Sequence, residues 1–125
     1  MVTVGSIGHD ALAAEISDQI QEEYILGHIY LADGAVTGQC AVTVVEADRT
    51  CVAVLDACEQ YPTSHLKLVL DRPEMASIMF YYTTAFFIES NYEALKTLMY
   101  YSNSYNKAFG FNIAAGYIFE DKLEQ

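Results

Sequence analysis

The residues of this 125-residue chain best suited to chemistry sit where strands give way to other structure. Gly5-Ser6-Ile7-Gly8-His9-Asp10 follows a short apolar strand and precedes a helical pattern. Two glycines at this spacing let the backbone turn tightly, and an aspartate at the end of the turn can accept from the first free N–H groups of the helix. A glycine-rich turn at a helix N-terminus is also what a phosphate cradle requires, so both readings stand at this point. A general base is harder to find. Asp10 is needed as a cap, and Asp48, Asp56 and Asp71 fall in turns without paired partners. His9, His28 and His65 are far apart, and Cys40, Cys51 and Cys58 lack metal-type spacing. No catalytic residue and no metal ligand set is therefore assigned.

The elements that must position these groups are read from periodicity. Phe80 to Ile88 is an apolar run expected to be a buried strand, and Ala108 to Ile113 is a second. Between them Ser90 stands three residues before Glu93, the spacing of a capping box, and Leu95, Leu98 and Met99 form one apolar stripe that ends at Asn103 to Asn106. Strand, helix and strand of this length make a parallel βαβ crossover. Ligands in open parallel sheets bind beyond the carboxyl ends of the strands, which points to Phe86, Phe87 and the stretch from Asn112 to Tyr117.

Earlier in the chain, Thr3 to Ile7 reads as a strand and Leu12, Ile16 and Ile20 as the inner face of a helix. From Tyr24 to Leu55 the period is two, and strands are expected over Ile25–Leu31, Gln39–Val45 and Thr50–Leu55. These three are expected to pair antiparallel, as an edge extension or as a lid that excludes water. Asp56 to Tyr61 is a transition with a short helix, Pro62-Thr63-Ser64 a break, His65 to Leu70 a helical stretch, and Tyr117 to Leu123 a last helix start.

Composition narrows the classes. Six basic residues against seventeen acidic ones give a net charge of −11, which repels nucleic acid and anionic membranes, so neither is expected as a partner. An apolar share of 53% excludes a disordered chain. No apolar run reaches the ~20 residues of a membrane span. Three cysteines without a leader pattern at MVTVGSIGHD read as reduced thiols, and the chain is expected to be cytoplasmic.

Taken in order, the motifs resemble the middle of a ribokinase-family kinase, with details similar to the adenosine kinases. The turn from Gly5 to Asp10 looks like the family's GxIGxD; Thr37-Gly38-Gln39-Cys40-Ala41 is similar to a TGTCA-like start of a lid strand. Arg49 to Tyr61, RTCVAVLDACEQY, follows the pattern RSLxANLxAAxxY; Ala85-Phe86-Phe87 looks like GFF, and Asn112 to Tyr117 like NLSAPF. The resemblance implies an α/β, partial ribokinase-like fold: a strand–turn–helix over 1–23, a β lid over 24–55 and a βαβ half-sheet over 56–125, in one domain. It implies ATP- and magnesium-dependent phosphorylation of adenosine to AMP in purine salvage. Matched position by position, Cys51, Ala53, Phe86 and Tyr117 would form the apolar wall against the nucleoside, Arg49 would help hold the transferred phosphate, and Asn112 would lie near the nucleotide.

The departures are equally specific. Val54 replaces the lid asparagine, Asp56 and Glu59 add charge, Ala85 replaces glycine and Gly116 replaces proline. The family's sugar-gripping aspartate and GG motif would precede Met1, and the GAGD-type segment with the catalytic base would follow Gln125. The chain is therefore expected to be inactive alone and to bind no ATP or Mg2+ by itself. It reads as a fragment of an adenosine kinase-like enzyme, as a non-catalytic module that binds nucleoside or dimerises through the lid (or meets a complementing chain), or as a relic without function.

Overall fold

The computed structural model describes residues 1–113, and the chain divides into two compact units, Met1–Tyr61 and Pro62–Gln125. In the first unit β1 (Val2–Ile7) leads through the glycine turn into α1 (Ala11–Glu22), and β2 (Leu26–Leu31) follows. Leu12, Ile16 and Ile20 are half-buried while Glu15, Asp18 and Glu22 are exposed, as the helical spacing requires. Tyr24 ends α1 in the left-handed region at φ 54°. The amides of Tyr24 and Ile25 turn back to the carbonyls of Gln21 and Ile20.

β2 corrects the expectation for 24–55. It pairs with β1, in parallel, from Val2 opposite Leu26 to Ile7 opposite Leu31. A helix between two strands returns the chain to the end from which it started, so the second strand runs beside the first. Alternating residues identify a strand but not its partner. Only β3 (Gln39–Val45) and β4 (Asp48–Val54) form the antiparallel excursion, in register from Gln39 opposite Val54 to Val45 opposite Asp48. Every residue of this hairpin is exposed. One buried cluster of this unit is Ala32, Ala35 and Ala57, with Tyr30 packed against them. A 3₁₀ turn, Asp56–Gln60, closes the unit.

The second unit opens with α2 (Thr63–Leu70), starting directly after Pro62, and a 3₁₀ turn, Pro73–Ser77. Pro62 lacks an N–H that a helix start would leave unpaired, so the expected break is where the helix begins. Then come β5 (Phe80–Thr84), α3 (Phe86–Ser104) and β6 (Ala108–Asn112), and β5 pairs with β6 in parallel. The strand expected over Phe80–Ile88 ends at Thr84, and its burial alternates: Tyr81 is buried while Phe80 and Tyr82 are exposed. Phe86 to Ile88 is as apolar as the strand before it, but belongs to the helix.

The capping box at Ser90 does not form. Asn91 sits inside α3 at φ −149° and ψ 52°, and the Ser90 hydroxyl donates back to the Phe86 carbonyl. Two helical segments therefore meet at a kink on the buried Asn91, and the one before it, from Phe86, was not expected. Its far end falls where expected. Asn106 takes φ 53°, and the amides of Asn106 and Lys107 return to Asn103 and Ser102. Lys107 then donates its ammonium to the carbonyls of Met75, Ala76 and Ile78, tying the 3₁₀ turn to the start of β6.

The interior of this unit includes Leu66, Val69, Leu70, Met75, Tyr81, Leu95 and Leu98. Tyr81 meets Tyr101 edge-on at 6.0 Å, and its buried hydroxyl has no partner among the described residues. Burial pushes that hydroxyl up to about 12. Two substitutions separate packing from polarity. Leu66→Ala should cost about 2–5 kcal/mol in urea unfolding, because Leu66 is fully enclosed. Tyr81→Phe should be neutral or stabilising, because it removes a desolvated hydroxyl that satisfies nothing.

Candidate functional site

In the first unit, the glycine turn is organised by one carboxylate. Asp10 caps α1 by accepting from the Ala13 amide at 2.8 Å. It also accepts from the Thr37 amide at 2.7 Å and the Thr37 hydroxyl at 2.8 Å. The Gly8 amide donates to the Thr37 hydroxyl oxygen at 3.0 Å. A Cβ at Gly8 would lie 2.3 Å from the Ala35 carbonyl oxygen and 2.8 Å from the Thr37 nitrogen, so only glycine admits this approach.

A cleft of about 370 Å³ opens at the carboxyl end of β1, beside Ile7, His9, Asp10, Ala13 and Leu31. His9 there pairs with Asp33 at 3.2 Å. Of the two readings of the glycine turn, the structure favours turn and cap over phosphate cradle. The Gly8 and Ala13 amides point to Thr37 and Asp10, and a carboxylate occupies the helix N-terminus. With both oxygens engaged, Asp10 is also unsuited to be a proton acceptor. Among the described residues no group of three or more His, Cys, Asp or Glu side chains could hold a metal ion. Nor does any helix among them have the length and apolarity to cross a membrane.

The hairpin places three of the sequence-derived residues together. Arg49, Cys51 and Ala53 alternate along β4 and so share one face, opposite Val44, Val42 and Cys40 of β3. All three are exposed. In the second unit, Phe86 and Asn112 come together at the carboxyl ends of the parallel pair. Asn112 ends β6 opposite Thr84, its carbonyl accepts from the Ala85 amide at 2.8 Å, and Phe86 begins α3 with half of its surface exposed. Tyr117 and the helix start at Tyr117–Leu123 lie outside the described residues.

A second cleft, of about 490 Å³, opens between α2 and the end of α3, lined by Leu70, Arg72, Tyr101, Tyr105 and Lys107. Nothing in the sequence marked it. Thr37 was visible only as the start of a strand, since its tie to Asp10 spans 27 positions.

No family model matches the chain. It is 30% identical over 117 residues to adenosine kinase 2 of Arabidopsis thaliana, an alignment that takes in 94% of this chain and 34% of that protein. Its fold superposes on adenosine kinase from Schistosoma mansoni, solved with 2-fluoroadenosine, at a TM-score of 0.86 and 25% identity over 98% of this chain and 36% of that one. The chain is similar to one part of the adenosine kinases. The Anopheles gambiae adenosine kinase, solved with P1,P4-di(adenosine-5) tetraphosphate, shares the fold at a TM-score of 0.88 and 20% identity, again over 98% of this chain and 36% of that one. The chain thus spans about a third of the length of the adenosine kinases it matches. Its fold is the α/β, ribokinase-like fold of those enzymes in part, with parallel and antiparallel strands together.

The carboxylate at the centre of this adenosine kinase-like turn has a pH signature. Hydrogen bonds from the Thr37 amide, the Ala13 amide and the Thr37 hydroxyl hold Asp10 below the ordinary carboxylate value of 3.8. A depressed value stabilises the fold fully above the unfolded-state pKa and loses that contribution as pH falls through the folded one. Acid unfolding should therefore steepen as pH drops below 3.8, and Asp10→Asn should remove that component from the melting curves. Parallel loss of stability in both proteins across this range would show that the carboxylate has no such role.

Proposed function

We propose that this chain carries nucleoside-binding elements of an adenosine kinase-type phosphotransferase and does not perform phosphoryl transfer alone. The observation that carries this reading is the 30% identity to a plant adenosine kinase over 117 residues, a span that includes both strand ends and the hairpin. The relative from Schistosoma mansoni was solved with an adenosine analogue, which supports adenosine as the ligand class. On this reading the face bearing Cys51 and Ala53 meets the apolar side of a nucleoside and Arg49 serves the transferred phosphate. Phe86, exposed at a strand end, offers a ring for a purine to stack on, an interaction of roughly 1–3 kcal/mol. Asn112 and Tyr117 complete the set carried over from the family, near the nucleotide and the nucleoside respectively.

Phosphoryl transfer depends on positioning, on a metal that neutralises the phosphates and on a base that orients the attacking hydroxyl. The described residues do not fit those last two tasks. Asp10 is engaged by Ala13 and Thr37, and no carboxylate cluster suits Mg2+. On this reading ATP and Mg2+ belong to the full-length kinases.

A second reading is favoured by the hairpin's surface. Val42, Val44, Val45, Val52 and Val54 are each more than half exposed, and a two-stranded ribbon with apolar faces is marginal without cover. Self-association through this hairpin would bury them.

Thermal unfolding of the purified chain, with and without millimolar adenosine, tests the first reading. Adenosine at about 100 times its dissociation constant should add roughly 2.7 kcal/mol, seen as a raised midpoint. Phe86→Ala should abolish the rise, and incubation of the chain with adenosine and Mg-ATP should yield no AMP. A cooperative transition indifferent to adenosine would overturn nucleoside binding. A concentration-dependent mass in sedimentation, lost in Val44→Lys, would support the second reading; a strict monomer would exclude it.

A further inference from the structure

We propose that Asp56 is a latch at the foot of the β3–β4 hairpin, a positioning residue that fixes the face carrying Arg49, Cys51 and Ala53. The proposal rests on the reading of that hairpin as the lid of a nucleoside site. Nothing in the sequence suggests the role, since Asp56 reads there as an unpaired turn carboxylate.

The hairpin leaves the first sheet through Val36 to Gly38 and returns through Leu55 to Ala57, so its orientation depends on what joins these two segments. Three contacts join them, and a fourth ties the returning segment to β1. The Val36 amide donates to Asp56 Oδ2 at 2.8 Å, and the Ala57 amide donates to the Val36 carbonyl at 3.2 Å. The Ser6 hydroxyl of β1 donates to the Ala57 carbonyl, tying the returning segment to the sheet. Gly38 lies against the other foot so closely that a Cβ there would stand 2.4 Å from Cys58 Sγ and 3.1 Å from the Leu55 carbonyl oxygen. The Asp56–Val36 bond is the side-chain link in this set that spans both feet.

The backbone of Asp56 shows that the link matters to the local geometry. Its φ is 33°, in the left-handed region that disfavours residues bearing a Cβ. A turn residue with no further role would be best served here by glycine. The carboxylate instead holds the strained position from two sides, accepting from the Val36 amide and, through Oδ1, from the Gln60 side-chain amide at 3.0 Å. With the feet joined, bending of the hairpin is confined to residues beyond Gly38 and before Leu55. The β4 face then moves as a unit.

Three substitutions in the full chain separate a latch from a turn. Asp56→Asn keeps an acceptor for the Val36 amide and tolerates a positive φ. Asp56→Ala removes the acceptor and keeps the strain, whereas Asp56→Gly removes both. Amide hydrogen exchange at Val36 should stay slow in the wild-type and Asn proteins and become fast in the Ala and Gly proteins. The dissociation constant for adenosine should rise roughly tenfold in Ala and Gly and be preserved in Asn, the scale of one lost hydrogen bond to a charged group. Asp56→Gly is the decisive variant, because it should unfold no more easily than Asp56→Ala and yet lose the latch. Wild-type Val36 protection and adenosine affinity in Asp56→Gly would overturn the proposal. If no variant, nor the wild type, binds adenosine while Val36 exchange still divides Asn from Ala and Gly, the nucleoside reading fails and the latch stands.

Discussion

Asp10 holds the first unit together at one point. Its carboxylate accepts from the helix it caps and, 27 positions along the chain, from the amide and hydroxyl of Thr37. That bridge, with the Gly8 amide bond to the Thr37 hydroxyl, closes the glycine turn on Ala35 and Thr37, an approach so tight that Gly8 cannot carry a side chain. The segment before the hairpin is held to the turn by the same carboxylate, and to the far foot of the hairpin by Asp56. A carboxylate with three donors is well satisfied, and its charge is stabilised rather than available for proton transfer. The residue that most resembles a functional group is thus an organiser.

Much of this was legible because it is local. The turn, the cap at Asp10, the hairpin and the stop at Asn106 each depend on residues within a few positions of one another. What stayed hidden depends on distant partners. Period-two alternation identified residues 26–31 as a strand, but its place beside β1 follows from the intervening helix rather than from its own side chains. Phe86 to Ile88 continues the hydrophobicity of β5, so composition could not show the chain changing from strand to helix after Thr84. Ser90 and Glu93 have the right types and spacing for a capping box, yet Asn91 takes the irregular position and is buried.

The candidate site divides the same way. Alternation from Thr50 onward put Cys51 and Ala53 on one face, but the sequence read Arg49 as part of a turn, and only the register with Val44 brings it into β4 beside them. Their proposed correspondence to nucleoside contacts rests on motif order, which the similarity to adenosine kinases over 94% of the chain supports. The roles of Thr37, Asp56 and Lys107 were not legible for a shared physical reason: each bonds to backbone groups, which leave no mark in a sequence. Lys107 satisfies three carbonyls of a turn about 30 positions before it. These residues determine where the more recognisable ones stand.

The account depends most on the bond between Asp10 and Thr37, and a double-mutant cycle measures it directly. Equilibrium unfolding would be followed for the wild type, Asp10→Ala, Thr37→Val and the double variant at neutral pH. A shared bridge predicts that the double variant loses clearly less stability than the two single losses added together. Strict additivity would mean that the two residues act independently, and the turn would then need another explanation for its closure on the segment before the hairpin.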